Sequence, residues 1–535
     1  MRTDKLLILL LSSFLLFSCN SNEENESKPN HGGGTIVIPP EDDEGGDEGG
    51  EDLETNNYLS ASASYGSDNS VVFGEQINKD NFKFTLKYEK EDIVLDSEQF
   101  SCSLSANSTF TNENIEAILT YKKDPTITTS LTLEVKPRDS LKLLFIGNSF
   151  SDDTIEYMYQ IADSLNIDLL VENMFIGGCT IATHYKNIIE NNANYQWVTY
   201  QNGSWVRYSN IPLSVIISGQ DWDYISFQQG SGSSGVASTY EKLGPLLEEV
   251  KKQVVNPSHT QFVWNMTWAY QSDSTHSEFP KYNSDQMTMY NSIINCVKNE
   301  VITKQDIKTV IANGTAIQNA RTSYYGDHLT RDGYHLSLDL GRYIAGLNAI
   351  KSLTGVDIDK CEYAPVGNSL ALVAKESVNN SFLNKYEITN SQFNENPFSL
   401  DKIKENHHRM DLSWQRGYWN AETNTPGTVF YTGNDFDNGF HCSSIKPASD
   451  FVNGTIIYVK EGYKYRPEGW SALNTKTTPR PNAVTVEFAE VDSNWVNAYA
   501  YRAFNVSRID GKPLSNDEIS SIESGEIFAV YLPNE

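Results

Sequence analysis

Hydrophobic runs alternate with amphipathic stretches between residues 140 and 353, and this alternation constrains the fold more than any other feature of the chain. Apolar runs of strand length are separated by segments whose apolar residues recur at helical spacing. The strand-like runs cover 141–146, 168–174, 224–227, 261–264 and 309–312, and the helical stretches cover 154–165, 240–255, 286–301 and 337–353. Such alternation predicts a parallel sheet covered by helices on both faces, with a site at the carboxyl ends of its strands.

The sequence on either side of this block is β-type. Residues 58–137 contain short β-prone runs separated by turns, which predicts a small immunoglobulin-like β-sandwich. Residues 361–535 return to β-type runs, which predicts a second β-sandwich. Its aromatic residues form either a carbohydrate-binding platform or a core, and the sequence leaves both interpretations open. They are Trp414, Tyr418, Trp419 and Trp470. A chain of 535 residues is long enough for three to four domains of usual size.

The amino terminus carries an export signal. Two cationic residues precede an apolar run from residue 6 to 17, which is too short to span a bilayer. The sequence Leu16-Phe17-Ser18-Cys19 resembles the lipobox of bacterial lipoproteins, which implies cleavage of residues 1–18 and acylation of Cys19. A plain secretory signal with an incidental cysteine is the alternative.

Residues 19–57 are rich in Glu, Asp and Gly, which predicts a disordered acidic tether. Its residues Glu23, Glu24 and Glu26 resemble export signals of Bacteroidota surface lipoproteins, although a solvated spacer fits equally well. The prediction is an outer-membrane lipoprotein of a Gram-negative bacterium, on the cell surface or the periplasmic face. Attachment to the membrane is expected through the lipid alone.

The net charge of −29 argues against a nucleic-acid partner, because phosphates would be repelled. Without Cys19 the cysteines number five and are widely spaced, so we expect mostly buried thiols, with one disulfide left open. No Cys/His spacing is typical of a metal site, and we expect neither a metal nor an organic cofactor.

Two short segments carry the candidate chemistry. Ser149 follows the first strand of the block, and Asp332 and His335 lie together on one short segment near its end. A serine hydroxyl becomes a useful nucleophile when an imidazole accepts its proton and a carboxylate orients that imidazole. Taken singly, the serine is typical of a turn and helix cap, and Asp332 is typical of a helix N-cap.

Five sequence blocks together resemble the SGNH (GDSL-type) hydrolases, and more closely a branch of that clan known mainly as a domain of unknown function in gut Bacteroidota. The blocks are residues 145–151, 176–179, 222–231, 264–271 and 330–337. This resemblance implies a flavodoxin-like three-layer domain over 138–358. It implies that Ser149 is the nucleophile, His335 the general base and Asp332 its orienting carboxylate. The backbone N–H groups of Ser149 and Gly178, or of Gly177, would then form an oxyanion hole.

The third block departs from the family pattern. Where related enzymes have an asparagine that completes the oxyanion hole, this chain has Gln228 and Gln229, and we expect one of these amides to donate instead. Asn148 stands where the GDSL pattern has an aspartate. After the fourth strand, Trp268 and Tyr270 are candidates for stacking on a sugar ring, whereas Trp264 is expected in the core. The histidines at 184, 276 and 328 are expected at the surface or in the substrate pocket.

The sequence therefore predicts a serine esterase that removes acetyl or other acyl groups from a polysaccharide or oligosaccharide. The alternative is a non-catalytic, surface glycan-binding lipoprotein on the same scaffold. A lipid-directed esterase has little support, because no long apolar lid segment is present. The oligomeric state is not predicted.

Overall fold

A computed structural model describes residues 56–105, 108–416, 440–470, 484, 487–491 and 500–534. The predicted signal peptide, Cys19 and nearly all of the predicted tether lie outside these residues, as do Tyr418, Trp419 and the side chain of Trp470. In the part that is described, no helix is long and apolar enough to cross a membrane.

The N-terminal domain is built from two sheets that share one core. Its strands are β1 (Tyr58–Tyr65), β2 (Ser70–Val72), β3 (Phe82–Tyr88), β4 (Asp92–Leu95), β5 (Phe100–Cys102), β6 (Ile115–Tyr121) and β7 (Thr128–Lys136). One sheet has the order β1-β3-β4 and the other β2-β7-β6-β5. Alternate residues such as Phe82, Phe84 and Leu86 point into the common core. The arrangement is a β-sandwich, and its immunoglobulin-like character stays a prediction.

The central domain contains one sheet of seven strands in the order β11-β10-β9-β8-β12-β13-β14. The strands are β8 (Ser140–Gly147), β9 (Asp168–Phe175), β10 (Tyr195–Gln201), β11 (Ser204–Ile211), β12 (Tyr224–Phe227), β13 (Gln261–Asn265) and β14 (Ile307–Ile311). Strands β9, β8, β12, β13 and β14 are parallel neighbours. Counted along the chain, their order is 2-1-3-4-5, which is the flavodoxin-like order.

The prediction of a wholly parallel sheet was wrong at one edge. Strands β10 and β11 form an antiparallel hairpin, and β10 also pairs antiparallel with β9. The turn between them contains Asn202 and Gly203, both with positive φ. Asn-Gly is the strongest short hairpin signal, because a two-residue turn of this kind needs left-handed conformations. The sheet is therefore mixed.

Helices of the central domain form two groups. Helices α1 (Ser149–Ile155), α2 (Met158–Ser164), α7 (Asn313–Arg321), α8 (Leu340–Thr354) and α9 (Asn368–Leu383) pack together, and α3 (Ile181–Ile189), α4 (Leu213–Ile217) and α5 (Leu243–Lys251) form the other group. Helix α6 (Gln286–Cys296) continues into a π-helical turn, Val297–Val301.

The predicted domain boundary at residue 358 falls too early. Helix α9 packs on α7 and α8, and its residues Val373, Ala374 and Val378 belong to the core of the central domain. The sequence-based prediction assigned this helix to the C-terminal domain because β-type runs resume after residue 361. Its apolar face packs on the central domain.

Arg138 joins the first two domains. Its guanidinium is 8% exposed, donates from Nε to the carbonyl of Phe73 at 3.1 Å, and pairs with Asp223 at 3.0 Å. Its backbone N–H donates to the carbonyl of Thr354 at 2.9 Å. Because a buried charge is costly without partners, these contacts favour a fixed arrangement of the two domains.

The C-terminal domain again contains two sheets. Its elements are α10 (Leu400–Asn406), β15 (His407–Arg409), β16 (Trp414–Arg416), β17 (His441–Ser443), β18 (Lys446–Pro447), β19 (Ile456–Val459), β20 (Tyr463–Trp470), β21 (Phe488–Glu490), β22 (Tyr501–Arg508), α11 (Asn516–Ser524) and β23 (Phe528–Pro533). One sheet has the order β15-β23-β19-β21; the other is β16-β17-β22-β18, with β20 also paired to β22. Residues of both sheets meet in one core, among them Val459, Phe504 and Phe528.

The five described cysteines are all unpaired, and only Cys102 is not buried. The expectation of mostly buried thiols is confirmed for these residues.

Candidate active site

Ser149 is placed by a strand end and a helix start. Strand β8 ends at Gly147, Asn148 is the N-cap of α1, and Ser149 is its first helical residue. The Asn148 side chain accepts from the backbone N–H of Phe150 at 3.0 Å, which is the usual capping bond. Gly147 is needed for packing, because a Cβ there would lie 2.5 Å from Ser151 Oγ and 3.0 Å from Gln228 Cδ.

The structure brings Ser149, His335 and Asp332 into one hydrogen-bonded line. His335 Nε2 lies 2.8 Å from Ser149 Oγ, and His335 Nδ1 lies 2.6 Å from Asp332 Oδ2. Asp332 also accepts the backbone N–H of His335 at 2.8 Å and that of Tyr334 at 3.2 Å, both through Oδ1. These bonds fix the carboxylate against the imidazole, although the two residues are only three apart in sequence.

The Asp332 carboxylate is kept ionised by its neighbours. Its partial burial would raise its pKa, but the hydrogen bonds from the His335 side chain and from the two backbone N–H groups more than offset this, so the pKa lies below its usual value. An ionised Asp332 accepts from Nδ1–H and leaves Nε2 free to accept the Ser149 proton. This is the tautomer that a general base requires.

The backbone N–H groups of Ser149 and Gly178 are the candidates for an oxyanion hole. The Ser149 N–H is at the first turn of α1, where N–H groups have no intrahelical partner. Gly178 is exposed, has φ of +63°, and its N–H donates no hydrogen bond within the described residues. Asn148 Nδ2 donates to the Cys179 carbonyl at 3.0 Å, so the loop of Gly178 is tied to the cap of the Ser149 helix. Gly177, the alternative donor, is also exposed.

Gln228 and Gln229 do not take the expected role of oxyanion donors. Gln228 is 1% exposed, and its Nε2 donates to Asn148 Oδ1 at 2.7 Å. Gln229 is fully buried; its Nε2 donates to Thr239, and its Oε1 accepts from the N–H of Ile181 at 3.0 Å. Both amides are directed into the protein, because buried polar groups must be satisfied there. They hold the backbone around the site.

Trp268 and Tyr270 are likewise not free to stack on a substrate, since both side chains are fully buried. The Trp268 ring stacks on Phe150 with centroids 4.3 Å apart, and its Nε1 donates to the carbonyl of Tyr334 at 2.8 Å. The Tyr270 hydroxyl lies 2.8 Å from Ser231 Oγ. The two aromatic residues therefore pack against Tyr334, which precedes His335 in the chain. Trp264 is buried in the core, as expected.

The three other histidines have different surroundings. His184 was expected at the surface or in the pocket, but it is 1% exposed, and burial lowers its pKa to about 3. Its Nδ1 lies 2.9 Å from the hydroxyl of Tyr195. His276 packs edge-on against Tyr334, whose ring is 4.1 Å from that of His335, so His276 lies close to the site. His328 is exposed.

An ionic cluster, formed by the buried Asp153 and the partly exposed Arg331 and Arg342, was missed by the sequence analysis. Asp153 is fully buried, and its Oδ1 accepts from Arg331 and from Arg342, each at 2.9 Å. Its Oδ2 accepts from the backbone N–H of Leu336 at 2.9 Å. Asp153 lies one helical turn after Ser149, so the cluster ties the helix of Ser149 to the segment that carries His335. The four-residue spacing between Ser149 and Asp153, which places both on one face of α1, was the sequence signal that could have identified Asp153.

A cavity of about 190 Å³ opens beside Ser149. Its lining is strongly charged, and the hairpin of β10 and β11 forms one wall. The lining residues are Ser149, Asp152, Asp153, Ile155, Glu156, Val198, Trp205, Arg207, Arg331 and Arg342. A larger cavity of about 280 Å³ lies between the central and C-terminal domains and contains none of the three hydrogen-bonded residues. Among the described residues no group of His, Cys, Asp and Glu is arranged to hold a metal ion.

Residues 142–380 match the model of a family described as a domain of unknown function, DUF4886. The chain is also 34% identical to a DUF4886 family protein from Bacteroides uniformis, covering all of that solved chain and 48% of this one, with a TM-score of 0.46. The chain belongs to the DUF4886 family. The DUF4886 domain spans β8 to α9, which agrees with the later boundary seen in the packing of α9.

Two further solved structures are distantly similar to the DUF4886 domain. Axe2, an acetylxylan esterase from Geobacillus stearothermophilus, is 15% identical, with 42% of this chain and 98% of Axe2 covered and a TM-score of 0.29. A putative acylhydrolase from Bacteroides fragilis is 12% identical, with coverages of 46% and 91% and a TM-score of 0.24. Similarity at this level carries no inference about activity. No curated protein matches the chain.

Proposed function

We propose that this protein is a serine esterase that removes acetyl or other acyl groups from a polysaccharide or oligosaccharide through an acyl-enzyme. The observation that carries the proposal is the hydrogen-bonded line from Ser149 Oγ through His335 to Asp332, with distances of 2.8 and 2.6 Å. A nucleophile, a base and an orienting carboxylate at these distances are the parts that ester hydrolysis requires.

In the first half of the reaction, Ser149 Oγ attacks the ester carbonyl carbon and its proton passes to His335 Nε2. The carbonyl oxygen becomes an oxyanion, which accepts hydrogen bonds donated by the backbone N–H groups of Ser149 and Gly178. The intermediate then collapses, the bond to the sugar oxygen breaks, and His335 returns the proton to that oxygen. Asp332 remains ionised and stabilises the imidazolium.

In the second half, water takes the place of the sugar. His335 Nε2 accepts a proton from the water as its oxygen attacks the acyl carbon. The bond to Ser149 Oγ breaks, His335 gives the proton to that oxygen, and the carboxylic acid leaves. The protein returns to its starting state without a cofactor.

The lining of the cavity beside Ser149 supports a hydroxyl-rich substrate over a lipid. Three arginines and three carboxylates surround this space of about 190 Å³. A long acyl chain would desolvate those charges without offering them hydrogen bonds, which is unfavourable. Sugar hydroxyl groups can both donate and accept, so they match such a lining.

The location and the flanking domains remain part of the proposal. We propose that acylated Cys19 attaches the protein to the outer membrane and that the N-terminal β-sandwich is a spacer between the lipid and the DUF4886 domain. We also propose that the C-terminal domain assists in binding glycan. Trp414, a described member of its suggested platform, stacks on His441 with centroids 5.6 Å apart and is only partly exposed.

The decisive experiment replaces Ser149 by alanine. With an aryl acetate and with acetylated glycans as substrates, Ser149→Ala should lower kcat by about 10⁴-fold or more, because no other group forms the acyl-enzyme. Release of the aryl alcohol and of acetate is measured directly. Ser204→Ala is the matched control, since that exposed serine contacts only the Gln201 carbonyl and should leave the rate unchanged.

Undiminished hydrolysis by Ser149→Ala would remove Ser149 from the proposed role. A wild-type protein that binds polysaccharide tightly and releases no acyl group from any ester would instead support the non-catalytic glycan-binding alternative. Thermal melting of each variant shows whether a lost activity comes from a lost fold.

A further inference from the structure

Five amide side chains form a continuous row inside the central domain. This amide row consists of Asn148, Gln228, Asn265, Asn313 and Asn348, and each is 1% exposed or less. The first four lie at the carboxyl ends of β8, β12, β13 and β14, which are consecutive neighbours in the sheet. The fifth is on α8, which packs on α1 and α7.

Four of the five members of the amide row donate to the side-chain oxygen of the next member. Asn348 Nδ2 donates to Asn313 Oδ1 at 3.0 Å, and Asn313 Nδ2 donates to Asn265 Oδ1 at 2.8 Å. Asn265 Nδ2 donates to Gln228 Oε1 at 3.0 Å, and Gln228 Nε2 donates to Asn148 Oδ1 at 2.7 Å. All donors therefore point the same way, toward β8, and such aligned bonds polarise one another.

Backbone groups at the β8 end determine the direction of the whole row. The Phe150 N–H can only donate and the Cys179 carbonyl can only accept, so the oxygen of Asn148 must face Phe150 and its nitrogen must face Cys179. Gln228 then has to present its nitrogen to Asn148. In the same way, Asn265, Asn313 and Asn348 must each direct the side-chain nitrogen toward the oxygen of the preceding member of the row.

The row ends on both backbone elements that would stabilise the oxyanion. Through Phe150 it caps the helix that begins with Ser149, and through Cys179 it holds the loop of Gly178. We propose that the amide row positions these two backbone donors relative to each other, so that Asn265 and Asn348 are positioning residues for catalysis without touching substrate. This inference rests on the proposed esterase function.

A purely structural role for the row makes a different prediction. If the amides only satisfied one another, loss of one bond would lower stability and leave the reaction itself unchanged. A positioning role requires that the orientation of a distant amide affects the Ser149 end. Asparagine and aspartate have nearly the same shape, so Asn→Asp removes the donor and reverses the preferred direction with little change in packing.

The test compares Asn265→Asp with Asn319→Asp in the full-length protein. Asn319 is a matched control, because it is 1% exposed in the same domain and its amide joins the Ser377 carbonyl and the Thr389 N–H outside the row. With an aryl acetate, Asn265→Asp should lower kcat by about 10- to 100-fold and leave KM within about twofold. Asn319→Asp should leave both within about twofold of wild type.

The introduced carboxyl group offers a second readout. Burial raises the pKa of a carboxyl group, and its protonated form can again donate a hydrogen bond. The ratio of variant to wild-type kcat should therefore rise as pH falls from 8 to 6 for Asn265→Asp. For Asn319→Asp the ratio should stay flat.

A third readout does not depend on activity. Deuterium uptake of a peptide covering 147–155 should increase in Asn265→Asp relative to Asn319→Asp, because the cap on the Phe150 N–H is lost. If wild type hydrolyses no ester, the proposed function fails, and this uptake still reports whether the row controls the cap.

Asn348→Asp provides a second variant in case Asn265→Asp does not fold. Asn348 is at the far end and forms no hydrogen bond with α1. Its oxygen already accepts from the hydroxyls of Ser352 and Ser381, which can also satisfy a carboxylate. It should lower kcat by about fivefold or more and raise uptake in 147–155. A kcat and an uptake equal to those of Asn319→Asp would overturn the proposal.

Discussion

Two networks of polar side chains, one charged and one neutral, hold the helix of Ser149 from two sides. On the side of His335 the ionic cluster of Asp153, Arg331 and Arg342 ties α1 to the segment that carries His335. On the side of the neighbouring strands, the amide row holds the same helix through neutral hydrogen bonds, beginning with Asn148 and Gln228. Both are networks of polar side chains, yet only one of them carries charge.

The degree of burial explains the difference. Arg331 and Arg342 keep 31% and 17% of their side chains exposed, so water still stabilises their charge while Asp153 is fully enclosed. Every member of the amide row is almost completely buried, where an ionic side chain would pay a larger desolvation cost. The ionic cluster therefore holds the segment of His335 where its arginines are still in contact with water. The amide row connects the strand ends in the interior, away from solvent.

Removal of the Asp153 carboxylate, with which both arginines pair, should have the largest effect on stability. Asp153→Ala leaves two guanidinium groups without their common partner and should lower the free energy of unfolding by about 3–5 kcal/mol, measured by urea denaturation. Asp306→Ala is the control, because the Asp306–Lys251 pair is more exposed and should contribute less than about 1 kcal/mol. Equal losses in the two variants would contradict the importance of the ionic cluster.

Interruption of the amide row should have an intermediate effect. Gln228→Met keeps the length of the side chain but takes one hydrogen-bond partner from Asn148 and one from Asn265, so we expect a loss of about 1–3 kcal/mol. Its kcat should also fall. Gln261→Met, at the amino end of β13, removes a bond to the Gly74 carbonyl and should leave kcat unchanged. A variant Gln228→Met with wild-type kcat would argue against a catalytic role for the row.

The smallest effect concerns a buried carboxylate without a cation. Glu172 accepts only from Trp197 Nε1 and the Thr199 hydroxyl, and burial raises its pKa. With a raised pKa, its contribution to stability is complete below the unfolded-state pKa of about 4.3 and is lost as pH rises through the folded-state pKa. Glu172→Gln should therefore stabilise the protein at pH 7, by about 1 kcal/mol or less, and have no effect near pH 3.

Denaturant midpoints of Glu172→Gln and wild type across this pH range test the prediction. A difference that is the same at pH 3 and pH 7 would show that ionisation of Glu172 is not its cause. A gain in stability that appears only at higher pH would show that an amide is more favourable than an ionised acid at this buried position of the sheet.

Local sequence patterns predicted the parts of the fold that depend on neighbouring residues. Apolar runs placed the five parallel strands, and Ser149, Asp332 and His335 were singled out before their distances were known. Helix α9 was assigned to the wrong domain, since an amphipathic helix does not specify which core it will cover. The β10–β11 hairpin was missed, although its Asn202-Gly203 turn is a local signal.

In the candidate site, too, the features that depend on tertiary packing were not predicted. Gln228, Gln229, Trp268 and Tyr270 follow strand ends, where side chains can point either into the crevice or into the protein, and sequence position alone does not distinguish these directions. The structure turns all four inward. Asp153 was overlooked because its partners Arg331 and Arg342 are more than 170 residues away.

The sequence by itself determined which residues are candidates for the chemistry and the strand–helix framework that separates them, because residue chemistry and hydrophobic periodicity are local properties. Only the tertiary structure decided which polar side chains face a substrate and which hold the backbone. Burial and hydrogen-bond partners depend on segments distant in the chain, and they turned two expected oxyanion donors into supports of the site.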